Sequence, residues 1–197
     1  MEDFKIFKQI SFRPGHKLKL LDLGCGDCQF LFDFYSFYNQ SFYKINAVDS
    51  GKDFGRTEDL ESGEDLFKKY EGNCEIVDKK NLTPGIMYYH KSEVSDFLKT
   101  NGLSYDIILM KNFLHCLDNK TEAISVIQNC IPRLSKNGFL YIQIATPSFA
   151  EKKAGSEFGP KWGCLLNEVI EWCKPLNLEH SFTTDKKWHH LLFHNVA

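Results

Sequence analysis

Residues 17 to 30 read KLKLLDLGCGDCQF, and they constrain the fold more than any other stretch of the chain. Lys17 to Leu23 is a short apolar run that stops at Gly24-x-Gly26, the pattern of a buried strand ending in a tight turn. Phe30, Phe34 and Phe37 then share one helical face, with Leu31, Tyr35 and Tyr38 beside them, so a helix is predicted over 28–38. The alternation of Phe30, Phe32 and Phe34 would also suit a strand, and context decides for the helix. Strand, glycine turn and helix in direct succession begin a βαβ unit.

The rest of the chain repeats that alternation. Strands are predicted at Tyr43 to Asp49, Met87 to Lys91, Tyr105 to Met110 and Phe139 to Ala145, the last entered from an Asn137-Gly138 turn. Helices are predicted at Glu58 to Tyr70, Glu93 to Lys99, 120 to 131 (N-capped by Asp118 or Asn119) and 163 to 174. A loop with Pro147, Gly155, Gly159 and Pro160 precedes that last helix. Five strands alternating with helices call for a parallel sheet covered on both faces. The final strands, Leu178 to Thr184 and Trp188 to Val196, are joined by Asp-Lys-Lys, too short for a crossover helix, so they form an antiparallel hairpin. The expectation is an α/β fold with one doubly wound, mostly parallel seven-stranded sheet and a C-terminal antiparallel hairpin. It forms a single domain over 1–197, with a short N-terminal extension over 1–16.

Composition narrows the functional classes. A chain of 197 residues with 43% hydrophobic and 25% charged residues has the makings of an ordinary globular core. The net charge of −2 gives no reason to expect nucleic acid or an anionic membrane as partner. No run approaches the ~20 apolar residues of a membrane span, and no signal-peptide core opens the chain. Seven scattered cysteines without a second close pair read as reduced thiols in a cytoplasmic protein rather than as structural zinc. His190 and His194 share one strand face but stand ~13 Å apart, too far to hold one ion, and no metal is expected.

The glycine turn supports two chemistries. By its glycines it is a cofactor loop, since doubly wound sheets bind ligands beyond the C-terminal strand ends, where the strand order reverses. By its cysteines, Cys25-x-x-Cys28 has the spacing of a redox pair at a helix N-terminus. The strand count exceeds that of a thioredoxin-like fold, and Asp27 between the thiols opposes their ionisation, so the cofactor reading stands. Gln29 breaks the dinucleotide pattern at its third glycine position, which argues against NAD. Asp49 ends the second strand, where a carboxylate accepts hydrogen bonds from both hydroxyls of a ribose.

Taken together, LDLGCGD, then AVD, then YDIILMKNFLHCL and LSKNGFLYI with a closing hairpin resemble the class I S-adenosylmethionine-dependent methyltransferases over roughly residues 17 to 196. The resemblance implies S-adenosyl-L-methionine as cofactor. It places Asp22, Gly24, Cys25 and Gly26 at the methionine end, Asp49 at the ribose, Ser92 or Glu93 at the adenine, and Asn112 near the transferred methyl. Two departures are visible: Cys28 replaces a frequent third glycine, and Ser92-Glu93 stands where the family often carries an adenine-binding acid. A cofactor without phosphates makes less demand on the Cys28 position than a dinucleotide does. His115, just past the fourth strand, is the candidate general base, with simple packing as the alternative.

The acceptor is less defined. The short extension offers no substrate domain, and Lys111-Asn-Phe-Leu114 stands in place of the Asn-Pro-Pro-Tyr of amino-group methylators of nucleic acids. A small-molecule acceptor is therefore expected. The alternatives are an RNA or protein acceptor, or a non-catalytic methyltransferase-like binding module.

Overall fold

The computed structural model describes residues 2–12, 15–26, 28–38, 42–50, 86–156 and 159–196. Seven strands form one sheet: β1 (Leu18–Leu23), β2 (Phe42–Asp49), β3 (Ile86–Lys91), β4 (Tyr105–Lys111), β5 (Leu134–Ala145), β6 (Asn177–Thr184) and β7 (Trp188–His194). Their order is β3-β2-β1-β4-β5-β7-β6. The first five run parallel, and β7 lies antiparallel between β5 and β6. The predicted hairpin thus closes the sheet by inserting its second strand beside β5. The strand order reverses between β1 and β4, which puts a crevice at their C-terminal ends.

Side-chain alternation divides the core into two layers. On one face Leu20, Ile107, Leu109, Tyr141 and Leu192 pack with α1 (Gln29–Tyr38) and an N-terminal 3₁₀ segment, Glu2–Gln9. This layer is aromatic: the Phe7 ring meets Phe34 and Tyr141 edge-on, each with centroids 4.7 Å apart. On the other face Leu21, Leu23, Ile108, Met110, Ile142 and Ile144 pack with α2 (Val94–Thr100), α3 (Lys120–Cys130) and α5 (Leu166–Trp172). The fold class expected from the sequence is the one observed.

Three boundaries differ from expectation, each for a local reason. β5 begins at Leu134 rather than Phe139, and Asn137-Gly138 is a bulge inside it, not a turn before it. There the register jumps from Tyr105↔Leu134 to Ile107↔Phe139, and Asn137 takes a φ of 62°. The loop after β5 contains a short helix, α4 (Pro147–Lys153), which Thr146 caps by accepting the Phe149 N–H at 3.3 Å, with Pro147 in the first turn. α5 is shorter than 163–174 because Gly163 is pressed against Thr146. A Cβ there would lie 2.4 Å from the Thr146 carbonyl oxygen, and the Cys164 N–H instead bonds the Ala145 carbonyl at 3.1 Å. The helix predicted over 58–70 lies outside the described residues. Among the described residues, no helix is long and apolar enough to cross a membrane.

Candidate functional site

The loop between β1 and α1 is held from below by β2. The Gly24 and Cys25 N–H groups both donate to the Val48 carbonyl, at 2.8 and 3.2 Å, and the Cys28 N–H donates to the Cys25 carbonyl at 2.9 Å. Gly24 has a φ of 68°, and a Cβ on it would sit 2.3 Å from the Phe113 ring. Gly26 has a φ of 54°, and among the described residues nothing lies within 4 Å of where its Cβ would be. One glycine is required by packing; the other leaves a space open above the loop.

Two carboxylates close the strand ends beside that space. Asp49, at the end of β2, accepts the Gly26 N–H through Oδ2 at 2.9 Å, which ties the second strand to the loop. Asp22, in β1, is 3% exposed. Burial pushes its pKa up to about 8, Lys111 pulls it down and Asp49 pushes it further up. The loop thus sits between two buried carboxylates at the C-terminal ends of β1 and β2, with its Gly24, Cys25 and Gly26 N–H groups bonded to β2. Ser92 lies at the rim, its N–H bonded to the Asp49 carbonyl at 2.9 Å, and Glu93 opens α2, its carbonyl accepting from Phe97 N–H at 3.0 Å.

On the opposite lip, Asn112 follows β4 with a φ of 55°, and its N–H donates to the Gln143 carbonyl at 3.2 Å. His115 lies in the 3₁₀ turn Leu114–Cys116, 3% exposed, with its ring 5.3 Å from Trp188 and no hydrogen-bond partner for Nδ1. Burial pulls its pKa down to about 4, so the ring is neutral at pH 7.

This arrangement has counterparts among solved structures. The N-methyltransferase NodS of Bradyrhizobium japonicum, in complex with S-adenosyl-L-homocysteine, superposes with a TM-score of 0.68 at 13% identity, covering 100% of this chain and 87% of that one. An O-methyltransferase family protein of Burkholderia thailandensis gives 0.67 at 14% identity, covering 98% and 55%. A SAM-dependent methyltransferase of Methanosarcina mazei gives 0.59 at 10% identity, covering 95% and 99%. The fold is that of the S-adenosylmethionine-dependent methyltransferases. No protein-family model matches the sequence, and no curated protein sequence matches it.

Within this methyltransferase fold, Asp22, Gly24, Cys25, Gly26 and Asp49 lie at the C-terminal ends of β1 and β2, Ser92 and Glu93 follow β3, and Asn112 and His115 follow β4. The structure refines the reading of Cys28. Its backbone keeps the left-handed conformation that a glycine would adopt, with a φ of 58°, while its side chain is fully buried in the cluster that includes Leu31 and Phe34. Cysteine fills that pocket at a strain of about 1 kcal/mol. Burial and a hydrogen bond with Cys28 push the Cys25 thiol well above its ordinary range, so Cys25 carries no reactive thiolate at neutral pH. Asp27 lies outside the described residues.

The C-terminal histidines have structural partners. His190 is fully buried between the Tyr141 hydroxyl at 2.9 Å and the Thr184 hydroxyl at 3.0 Å, and His194 meets Glu179 at 3.1 Å. Among the described residues, no group of three or more His, Cys, Asp or Glu side chains is placed to hold a metal ion. Neither Phe113 nor Gln143 was among the residues expected from the sequence. Gln143 carried a signal, as the one polar residue inside the apolar run FLYIQIA. Phe113 carried none, because its role depends on Gly24 approaching from another strand.

Proposed function

We propose that the protein is an S-adenosylmethionine-dependent methyltransferase acting on a small-molecule acceptor. The observation that carries this reading is the Gly26 cradle, where an open position above a left-handed glycine adjoins the buried carboxylates Asp22 and Asp49. Shape and donor set both fit the cofactor. Asp22, Gly24, Cys25 and Gly26 would hold its methionine end, Asp49 its ribose, and Ser92 or Glu93 its adenine. When bound, the cofactor supplies a methyl group already activated on a cationic sulfur.

The chain's own residues then align and exclude water. Asn112 and the turn after it form the lip where the acceptor's lone pair approaches, with Phe113 against Gly24 and the Trp188 ring, packed on Phe149 and His115, as apolar surroundings. His115 is the candidate base that takes up the proton the acceptor loses. Its low pKa makes it a weak base, suited to a proton that leaves only after the methyl has arrived. The same reading treats the chain as a single domain and places it in the cytoplasm, consistent with its free cysteines.

Calorimetry with S-adenosylhomocysteine tests the proposal. Binding is expected for the native protein, lost on Asp49→Ala and retained on Cys25→Ser. Absence of binding by the native protein at millimolar ligand would overturn it. Transfer of label from methyl-labelled cofactor into the low-molecular-weight fraction of a cell extract would separate an enzyme from a binding module. Label found only in macromolecules would overturn the small-molecule acceptor.

A further inference from the structure

Buried polar atoms without a partner are rare in folded proteins. Two of them, His115 Nδ1 and Gln143 Oε1, belong to residues close to the C-terminal ends of β4 and β5. The Asn112 N–H bonds the Gln143 backbone carbonyl, and His115 follows Asn112 by three residues. The methyl-transfer reading already assigns a task to His115. It assigns none to Gln143.

Strand register places Gln143 in a defined row. Lys111, Gln143, His190 and Phe182 are partners across β4, β5, β7 and β6, so their side chains share the face covered by α1. Asp22 lies on the same face, paired with Leu109 one pleat before Lys111. His190 is fixed by the Tyr141 and Thr184 hydroxyls and by the Phe182 ring, stacked at 4.4 Å and 6°. Gln143 has only a marginal contact with it, Nε2 to Nε2 at 3.5 Å. In the tautomer where His190 Nδ1 donates to the Tyr141 hydroxyl, its Nε2 accepts from Gln143 Nε2, which leaves Oε1 as the end without a partner. The side chain is 4% exposed, so bulk water does not solvate that end.

We propose that Gln143 is the specificity-determining residue of the acceptor subsite, its amide oxygen receiving the N–H or O–H of the acceptor. The inference rests on the methyltransferase reading and narrows it to a hydroxyl- or amine-type acceptor of small size. An enclosed oxygen is reached by a slender group, not by a folded surface. It also discriminates strongly, because a ligand without a donor leaves the oxygen unmatched. His190, held by Tyr141, Thr184 and Phe182, stands beside the other end of the Gln143 amide.

The test uses the protein saturated with S-adenosylhomocysteine and two probes that differ in one donor, phenol and anisole, followed by ligand-observed NMR titration. Phenol is expected to bind roughly tenfold or more tightly than anisole. In Gln143→Leu the two are expected to bind within roughly twofold of each other, with cofactor-product affinity unchanged and melting temperature raised, since the unmatched oxygen is gone. Equal binding of phenol and anisole to the native protein overturns the proposal, as does unchanged discrimination in Gln143→Leu or in Gln143→Met. Failure of the native protein to bind S-adenosylhomocysteine is a different result and overturns the methyltransferase reading itself.

Discussion

Gly24 and Gly26 both adopt positive φ, yet the same substitution is expected to act differently at each. At Gly24 the new Cβ would meet the Phe113 ring at 2.3 Å, in addition to the left-handed strain, so Gly24→Ala should destabilise the fold by about 2–4 kcal/mol in urea titration. At Gly26 only the strain applies, about 1 kcal/mol, because among the described residues nothing lies within 4 Å. Gly26→Ala should therefore remain folded and lose S-adenosylhomocysteine binding, since the methyl fills the space assigned to the ligand. Asp22 gives a second contrast. Its folded pKa of about 8 lies above the ordinary carboxylate value, so the native state holds a proton that the unfolded chain has released. The stability this group contributes is complete below about pH 4 and is lost as the pH rises from there through about 8. Asp22→Asn should raise the melting temperature, with a gain that is small at pH 4 and largest at pH 8 and above. The same variant should bind S-adenosylhomocysteine more weakly above about pH 8, where native Asp22 is ionised and the amide cannot replace its charge. A melting-temperature gain that does not grow with pH would contradict the assigned proton.

At the scale of elements, α3 shows how local chemistry sets a boundary. Asn119 caps it through Oδ1, which accepts the Glu122 N–H at 3.0 Å, while Glu122 reaches back to the Asp118 N–H at 3.1 Å. Asn119→Ala should cost about 1 kcal/mol by thermal denaturation. Asp118→Ala should cost no more than about 0.5 kcal/mol, because its contact with Lys161 is an exposed ion pair. The strands, the hairpin and the glycine loop were legible in the sequence because each rests on signals within a few residues: apolar runs, paired glycines and a three-residue turn. The Asn137-Gly138 bulge was misread as a turn because both features use the same residues, and only the partner strand tells them apart. α4 went unseen for a similar reason: Thr146-Pro147 reads equally as loop or as cap. Of the site, the carboxylates at strand ends could be read from position alone. Phe113 against Gly24 and the unmatched Gln143 amide could not, since both arise where separate strands meet.

Across the whole molecule, the two core layers have different relations to the crevice. The layer on the α1 face supports the helix that follows the glycine loop: Phe7 packs on Phe34 of that helix and on Tyr141 of β5, and Cys28 is buried in the same cluster. The opposite layer, which contains Phe193, packs against α2, α3 and α5. Removing either aromatic ring should cost about 3–5 kcal/mol of stability. Their effects on binding should diverge. Phe7→Ala removes the support beneath α1, leaving the loop that carries Gly24 and Gly26 less fixed, so S-adenosylhomocysteine affinity should fall well beyond the effect of Phe193→Ala at equal loss of stability. Both variants measured by urea titration and calorimetry at a temperature where each is folded would check this. Equal affinities would mean that the loop is held by its bonds to Val48 and Asp49 alone. The aromatic layer would then stabilise the sheet without tuning the site.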